Sequence, residues 1–289
     1  MLDRPEAIVG MTPSCPLCGS GRARQAFEKA GHQYWRCAGC ALVYARGGSN
    51  ANFRERIDDY EPAYRQYLSD GPADASNLDD VIAWMESHVD LRSPATRVLE
   101  VGAGSGKLVR RLRRMRPCAV AGIEPSAALF TAFDLGTLGI EAITLPELAS
   151  RRPAAYDVVT VLDVVEHVPD AAGFVDALAT VTKAGGFVFL STPDTDGFLA
   201  RLLGRRWHHY NQYHFSLYGS RAIAEAARRG GFRIVSLQHR ARRMSLDYLW
   251  NYSADFLLAR RRHAREPGRS RFAIPINLAD TLSIVWQRT

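Results

Sequence analysis

Thr96-Arg-Val-Leu-Glu100-Val-Gly102-Ala-Gly104-Ser-Gly106 is the stretch on which the fold turns. A short β-rich run followed by three glycines at alternating positions predicts a strand, a tight turn and the start of a helix, the helix running from about Lys107 to Met115. Glycines let backbone approach a ligand closely, and the first turn of a helix offers N–H groups that have no intrahelical acceptor. The stretch therefore points to a nucleotide-like cofactor. A G-x-G-x-G alone is weakly specific, so its surroundings decide.

Those surroundings repeat the pattern. Ala119-Val-Ala-Gly-Ile123 predicts a second strand ending in Glu124, which lies 20 residues after Gly104. An acidic side chain there is placed to accept both hydroxyl hydrogens of a ribose; the alternative is a helix N-terminal acid ahead of Pro125-Ser126. Tyr156 to Leu162 predicts a buried strand leading into Asp163-Val-Val-Glu166-His167-Val-Pro-Asp170. Phe174 to Val181 is helical in pattern, Ala184-Gly-Gly186 reads as a turn, and Phe187 to Thr192 as the next strand. Residues 219–230 form a helix, Phe232 to Leu237 a sixth strand, and the stretch from Ala273 to Trp286 ends as the last strand. Strands alternating with helices give an α/β fold with a doubly wound, Rossmann-like sheet.

A second signal stands nearer the N-terminus. Cys15-Pro-Leu-Cys18 and Cys37-Ala-Gly-Cys40 form a C-x2-C-x18-C-x2-C array. Each C-x2-C turn points two thiolates at one site, and two such turns complete a tetrahedron with no position left for water, as in a structural zinc site. Gly19 and Gly39 suit knuckle turns, and His32–Arg36 with Ala41–Tyr44 look like short strands, the outline of a zinc ribbon. A free dithiol pair is the alternative, and His32 is a rival ligand. The fifth cysteine, Cys118, reads as a core thiol. The domain organisation expected is a zinc ribbon over 1–48, a helical connector over 49–92 and a cofactor domain over 93–289. The connector carries two helical patterns, one from Phe53 to Leu68 and one from Leu78 to Val89.

With 289 residues and 47% hydrophobic content the chain can bury a proper core, which excludes global disorder. The formal charge is +7, and residues 201–271 hold 16 arginines, no lysine and four acids. An anionic partner near this third of the chain is one reading of that bias, and a solvated basic surface the other. No basic-then-apolar leader opens the sequence and no apolar run reaches membrane-spanning length. Together with paired C-x2-C turns, which suit a reducing compartment, this leads to the expectation of a cytoplasmic protein.

In combination, Glu-Val-Gly-Ala-Gly-Ser-Gly, Gly-Ile-Glu-Pro-Ser, Leu-Asp-Val-Val-Glu-His-Val-Pro-Asp, Ala-Gly-Gly and Ser-Thr-Pro-Asp194 resemble the class I S-adenosylmethionine-dependent methyltransferases. The similarity is to the branch that includes ubiquinone-biosynthesis O-methyltransferases and many natural-product and sugar methyltransferases. It covers roughly residues 12–46 and 93–238. The resemblance implies a seven-stranded sheet and S-adenosylmethionine as cofactor. It implies Gly102 and Gly104 against the methionine part, with Glu100 in the same set, Glu124 on the ribose, and Leu162 with Asp163 along the adenosine. The acidic residue that many members carry after the third strand is missing, since Ala142-Ile-Thr-Leu-Pro146 stands there.

Two places offer groups for the chemistry. In the ubiquinone-pathway enzymes an acidic-x-x-Glu-His trio is associated with a divalent metal. The matching residues are Asp163, Glu166 and His167, with Asp163 one methylene shorter than the usual Glu. The second place is Arg205-Arg-Trp-His208-His209-Tyr210-Asn-Gln-Tyr213-His214-Phe-Ser216, which falls within an expected lid over about 194–218. His167, His208, His209 and His214 are the candidate catalytic residues, because a histidine near neutral pKa takes up a proton as methyl arrives. A packing or surface role in the lid is the alternative for His208, His209 and His214, and ordering of the loop that covers the cofactor is the alternative for Glu166 and His167. A basic helical insertion is expected over about 244–271, with an amphipathic helix from Leu246 to Leu258 and then Arg260-Arg-Arg-His-Ala-Arg265. The leading expectation is methyl transfer to a small, anionic biosynthetic intermediate. The alternatives are an RNA methyltransferase, which the Arg-rich insertion would favour, and a non-catalytic module that keeps the cofactor fold.

Overall fold

The computed structural model describes residues 13–29, 31–46, 72–245 and 273–289. Three antiparallel strands come first: β1 (Ala23–Lys29), β2 (His32–Cys37) and β3 (Val43–Arg46). Helix α1 (Pro72–Glu86) takes up the second of the two connector patterns, while the first, from Phe53 to Leu68, lies outside the described residues. The predicted cofactor domain then unfolds as β4 (Arg97–Val101), α2 (Lys107–Met115), β5 (Ala119–Ile123), α3 (Ala127–Ala132), β6 (Ile140–Glu141), α4 (Leu145–Arg151) and β7 (Tyr156–Leu162). It continues through α5 (Ala171–Val181), β8 (Thr182–Pro193), α6 (Phe198–Leu203), β9 (Ser216–Leu217), α7 (Ser220–Gly230) and β10 (Phe232–Gln238). A short antiparallel pair, β11 (Arg242–Ser245) with β12 (Ala273–Ile276), precedes the final strand β13 (Thr281–Arg288).

Seven strands form one sheet in the order β10-β13-β8-β7-β4-β5-β6. Strands β6, β5, β4, β7 and β8 are parallel, and β13 inserts antiparallel between β8 and β10. Val98, Leu99 and Val101 of β4 and Val158, Val159 and Val161 of β7 are all buried. Such unbroken apolar runs belong to parallel strands covered by helices on both faces. The chain winds outward from β4 to β6 and returns to β7 on the other side of β4. That reversal opens a crevice at the carboxyl ends of β4 and β7, where open sheets of this kind bind ligands.

Two expectations change in the structure. Ala184-Gly-Gly186 is not a turn between elements but a bulge inside β8. Tyr156 pairs with Thr182 and Val158 with Phe187, so residues 183–186 loop out while the pairing resumes beyond them. A glycine at 185, with φ +77°, permits that loop. The C-terminal stretch is likewise divided, because residues 273–276 pair with β11 and the sheet strand itself begins at Thr281.

The cysteine-bearing strands are not a separate layer. β9 hydrogen-bonds to β3, with Val43 opposite Leu217 and Tyr44 opposite Ser216, giving a four-stranded sheet β1-β2-β3-β9. Cys15, Leu17, Cys37, Cys40, Leu42 and Tyr44 share one apolar core with Ala171, Tyr218 and Ala222 of the larger unit. A second small core joins Tyr34 and Val43 to Trp207, Tyr210 and Leu217. The candidate basic helix and Arg260–Arg265 run lie outside the described residues.

Candidate active site

The glycine-rich turn follows β4 with Gly102, Gly104 and Gly106 at φ +68°, +56° and +72°. At Gly102 the glycine is obligatory twice over. The backbone is left-handed, and a Cβ would lie 2.6 Å from Cγ2 of Val164. The loop after β7 thus closes directly on the turn after β4. Glu124, at the end of β5 and buried, accepts the Gly104 N–H on Oε2 at 2.8 Å and the Ser126 N–H on Oε1 at 2.9 Å. Its carboxylate is fixed between the glycine turn and the start of α3, which Ser126 caps through the Leu129 N–H. Glu100 accepts the Val109 N–H at 3.2 Å. Burial pushes its carboxyl up to about 8, against the Val109 N–H and with the help of the Glu124 charge.

Leu162 and Asp163 end β7 on the other side of the crevice. Ser191 holds the Asp163 backbone N–H through both its carbonyl (3.0 Å) and its hydroxyl (3.1 Å). The carboxylate in turn takes a hydrogen bond from the Ser191 hydroxyl at 2.7 Å and from Nη2 of Arg242 at 2.8 and 3.0 Å. Desolvation opposes its charge, but Arg242 and Ser191 outweigh that and hold it below the usual carboxylate range. Sequence reasoning missed Arg242, which sits in a basic run without a distinguishing neighbour. Its role emerges from the β11–β12 hairpin, which lays it across the carboxyl end of β7.

All four predicted histidines converge. His167 and His214 have ring centroids 4.7 Å apart, His209 and His214 stack at 5.5 Å, and His208 lies 3.9 Å from His209. Nδ1 of His167 meets the Tyr213 carbonyl at 3.0 Å and Nδ1 of His214 the His209 carbonyl at 2.8 Å. A carbonyl can only accept, so both Nδ1 atoms carry the proton and both Nε2 atoms carry the lone pair. Desolvation lowers the pKa of His167, of His209 and of His214, and takes His208 down to about 4. The cluster is neutral at pH 7.

Glu166 is buried and accepts from the Thr192 hydroxyl at 3.1 Å; burial, then the Asp163 charge, push it up to about 8. Ligand atoms of Glu166, His167 and His214 lie within 4.8 Å of one another. Asp163 is outside that group, turned instead to Ser191 and Arg242. The expected Asp163/Glu166/His167 metal trio therefore has a different third member. His208, His209 and Asp280 make a second cluster of the same kind.

The first sheet holds this histidine segment in place. The Tyr34 hydroxyl donates to the Asn211 carbonyl at 2.8 Å and Lys29 Nζ to the Trp207 carbonyl at 2.9 Å. The Ala45 N–H meets the Phe215 carbonyl, and the Phe215 N–H meets that of Glu166. On the far side of the same sheet, Cys15 and Cys40 sulfurs lie 3.6 Å apart and Cys18 and Cys37 sulfurs 3.5 Å apart, with all four within 4.8 Å. A Zn–S bond of about 2.3 Å makes tetrahedral edges of about 3.8 Å, so the four sulfurs already approximate one coordination shell. Hydrogen bonding from Cys40 lowers Cys15 to about 5, while the same contact pushes Cys40 far up. Without a cation the four thiols can carry only part of the negative charge. The two knuckles repeat one backbone pattern, Gly19 N–H to Cys15 carbonyl and Ala41 N–H to Cys37 carbonyl. His32 is not in the cluster.

The basic C-terminal third is partly consumed internally. Arg228 pairs with Glu225, Arg229 with Asp176, Arg242 with Asp163 and Arg243 with Asp80, and Arg240 lies over the Trp84 ring at 4.6 Å. Among the described residues no helix is long and apolar enough to cross a membrane.

A crevice at the strand carboxyl ends, a glycine turn braced by a buried glutamate, and an antiparallel seventh strand define a cofactor-binding α/β protein of the class I methyltransferase architecture. Residues 60–237 match the methyltransferase domain family, and the chain belongs to it. The ubiquinone biosynthesis O-methyltransferase of Burkholderia ambifaria is 34% identical over 149 residues, spanning 46% of this chain and 63% of the relative. That of Burkholderia multivorans is 41% identical over 117 residues, 38% of this chain and 49% of the relative. The chain thus spans between about half and two thirds of the length of these relatives. Among solved structures, the 1,6-didemethyltoxoflavin-N1-methyltransferase of Burkholderia thailandensis, with bound S-adenosylhomocysteine, has a TM-score of 0.53 at 15% identity, covering 92% of this chain and all of that one. The magnesium protoporphyrin IX methyltransferase of Synechocystis PCC 6803, with S-adenosylmethionine bound, has a TM-score of 0.51 at 15% identity, covering 84% and 100%. These two establish the fold.

Proposed function

We propose that the protein is a cytoplasmic S-adenosylmethionine-dependent methyltransferase acting on a small-molecule acceptor. The observation that carries this reading is the glycine turn braced by Glu124 at the same crevice that receives the four-histidine cluster. S-adenosylmethionine, when bound, supplies an electrophilic methyl group. Gly102 and Gly104 present backbone to its methionine part, Glu124 takes the ribose hydroxyls, and Leu162 with Asp163 line the adenosine. The buried carboxylate already aimed at the turn fits a diol, which needs two acceptors from one group.

His167, His209 and His214 line the acceptor side, and His208 lies at its rim. Their neutral state at pH 7 suits a base that removes a proton from an acceptor hydroxyl or amine. The fixed Nδ1–H bonds to backbone carbonyls hold the His167 and His214 rings so that Nε2 is the basic atom. The anionic character of the acceptor rests on the arginine bias of residues 201–271, since Arg242 itself is held by Asp163. The four cysteines hold a structural zinc, since four thiolates with no water position leave a closed shell. Four cysteines held as zinc thiolates and Cys118 as a buried core thiol suit a reducing compartment.

The test is transfer of labelled methyl from S-adenosylmethionine into a small-molecule extract and, separately, into total RNA. Label in a small molecule is the expected result. Label in RNA instead would overturn the acceptor class, and failure to bind the cofactor at all would make the protein a non-catalytic module.

A further inference from the structure

A depression of about 430 Å³ lies where β1 and β2 meet the second knuckle, lined by Arg22, Arg24, Arg36 and Arg221 with Cys37, Ala38 and Ala41. Strand register makes it basic. Arg24 on β1 stands directly opposite Arg36 on β2. Like charges facing each other across an antiparallel pair destabilise it. Arg22 stands just ahead of β1, and its carbonyl accepts the Ala38 N–H at 2.9 Å, tying the entry of β1 to the second knuckle. Arg221, in the first turn of α7, donates from Nη2 to the Gly39 carbonyl at 2.8 Å and so enters from the opposite wall.

Among the described residues no acidic side chain lines this depression. Among the described residues none of the four arginines forms an ion pair, whereas Arg228, Arg229, Arg242 and Arg243 each have one. Four guanidinium groups around one concavity, two of them in forced opposition, outweigh the two negative charges that a zinc tetrathiolate at Cys37 would carry, and an anion between them would relieve the excess. Planar guanidinium forks match the paired oxygens of phosphate groups, and the volume is within the range of small-molecule sites.

We propose that this depression binds a phosphate-type oxyanion of about diphosphate size, either free or as the diphosphate of a nucleotide-linked small molecule. The site is built from the ribbon and the start of α7, and it stands whether or not the methyl-transfer reading holds.

Calorimetric titration of the full-length protein with inorganic pyrophosphate and with uridine diphosphate, at constant ionic strength, tests it. One site is expected, with affinity for both ligands weakened at least tenfold in the double variant Arg24→Gln, Arg36→Gln. Without anion, the unfolding midpoint of that variant is expected at or above that of the parent, because a repulsion has been removed. This separates lost binding from lost structure. Tighter binding of uridine diphosphate identifies a nucleotide-linked ligand, and equal affinities a bare oxyanion; both uphold the site. Undiminished affinity in the double variant, or no binding of either anion to the parent, overturns it. An RNA oligonucleotide that binds and is not displaced by pyrophosphate overturns it as well.

Discussion

Glu124→Gln probes the cofactor side of the crevice without changing shape. In the parent each carboxylate oxygen serves one backbone donor, Gly104 N–H at 2.8 Å and Ser126 N–H at 2.9 Å. Glutamine keeps one oxygen and turns its NH2 toward the other donor, which is then buried and opposed. A hydrogen bond to a charged group contributes about 1.5–3 kcal/mol, and a buried donor left unsatisfied costs about 1–3 kcal/mol. The free protein should therefore lose about 2 kcal/mol, a drop of several degrees in unfolding midpoint for a chain of this size. Cofactor affinity should fall further, because the ribose diol would meet one acceptor instead of two. A loss of about 1.5–3 kcal/mol corresponds to a Kd roughly ten- to a hundredfold weaker. Calorimetry with S-adenosylhomocysteine, beside a thermal melt, reads both quantities. A lowered midpoint with unchanged affinity would leave Glu124 as a brace alone and sink the ribose assignment. Unchanged values of both would refute the hydrogen-bond argument itself.

Gly102→Ala should destabilise the protein by about 1–2 kcal/mol for its left-handed backbone, with more for the clash against Val164. An unchanged urea midpoint would show that the two loops do not approach as described. Cys37→Ser should abolish the zinc, one per chain, that elemental analysis is expected to find in the parent, and should shift the imidazole NMR signals of His209 and His214. Unmoved imidazoles would confine the metal's influence to its own knuckles. Glu166 is raised to about 8 when folded, from 4.5, so the folded state holds a proton that the unfolded chain releases. That stability is complete below about pH 4.5 and is lost as pH rises through about 8. Chemical denaturation at about pH 5 and pH 8 should show a smaller decline in Glu166→Gln than in the parent; equal declines would contradict the raised value.

Much of the larger sheet was legible because its signals are local. The run Val98–Val101, the glycines after it and the acid at 124 each follow from what a parallel strand, a turn and a strand end need. The predicted start and end of α2 agree with the structure, since the buried Leu108, Val109 and Leu112 set one face against arginines. The histidines were each legible as candidates, and their convergence into one cluster was not, because it depends on two loops 40 residues apart being held together. β1 had little local signal because Ala23–Lys29 alternates weakly and carries no β-branched residue. Pairing of β3 with β9 had no sequence signal at all, being a contact between positions some 170 residues apart. Arg242 was hidden in a run of basic residues whose members turn out to serve different partners.

That β3–β9 pairing bears on how such a chain can be taken apart and recombined. The histidine segment borrows its backbone partner, and the tyrosine and lysine that anchor it, from the first 46 residues. Cutting the chain ahead of β4 would keep every motif of the cofactor half and strip the acceptor half of its supporting edge. In a chimera between two relatives, acceptor preference should consequently travel with the N-terminal strands and the 194–218 segment as one inheritable block, and a crossover placed between them should yield proteins that bind cofactor and methylate nothing.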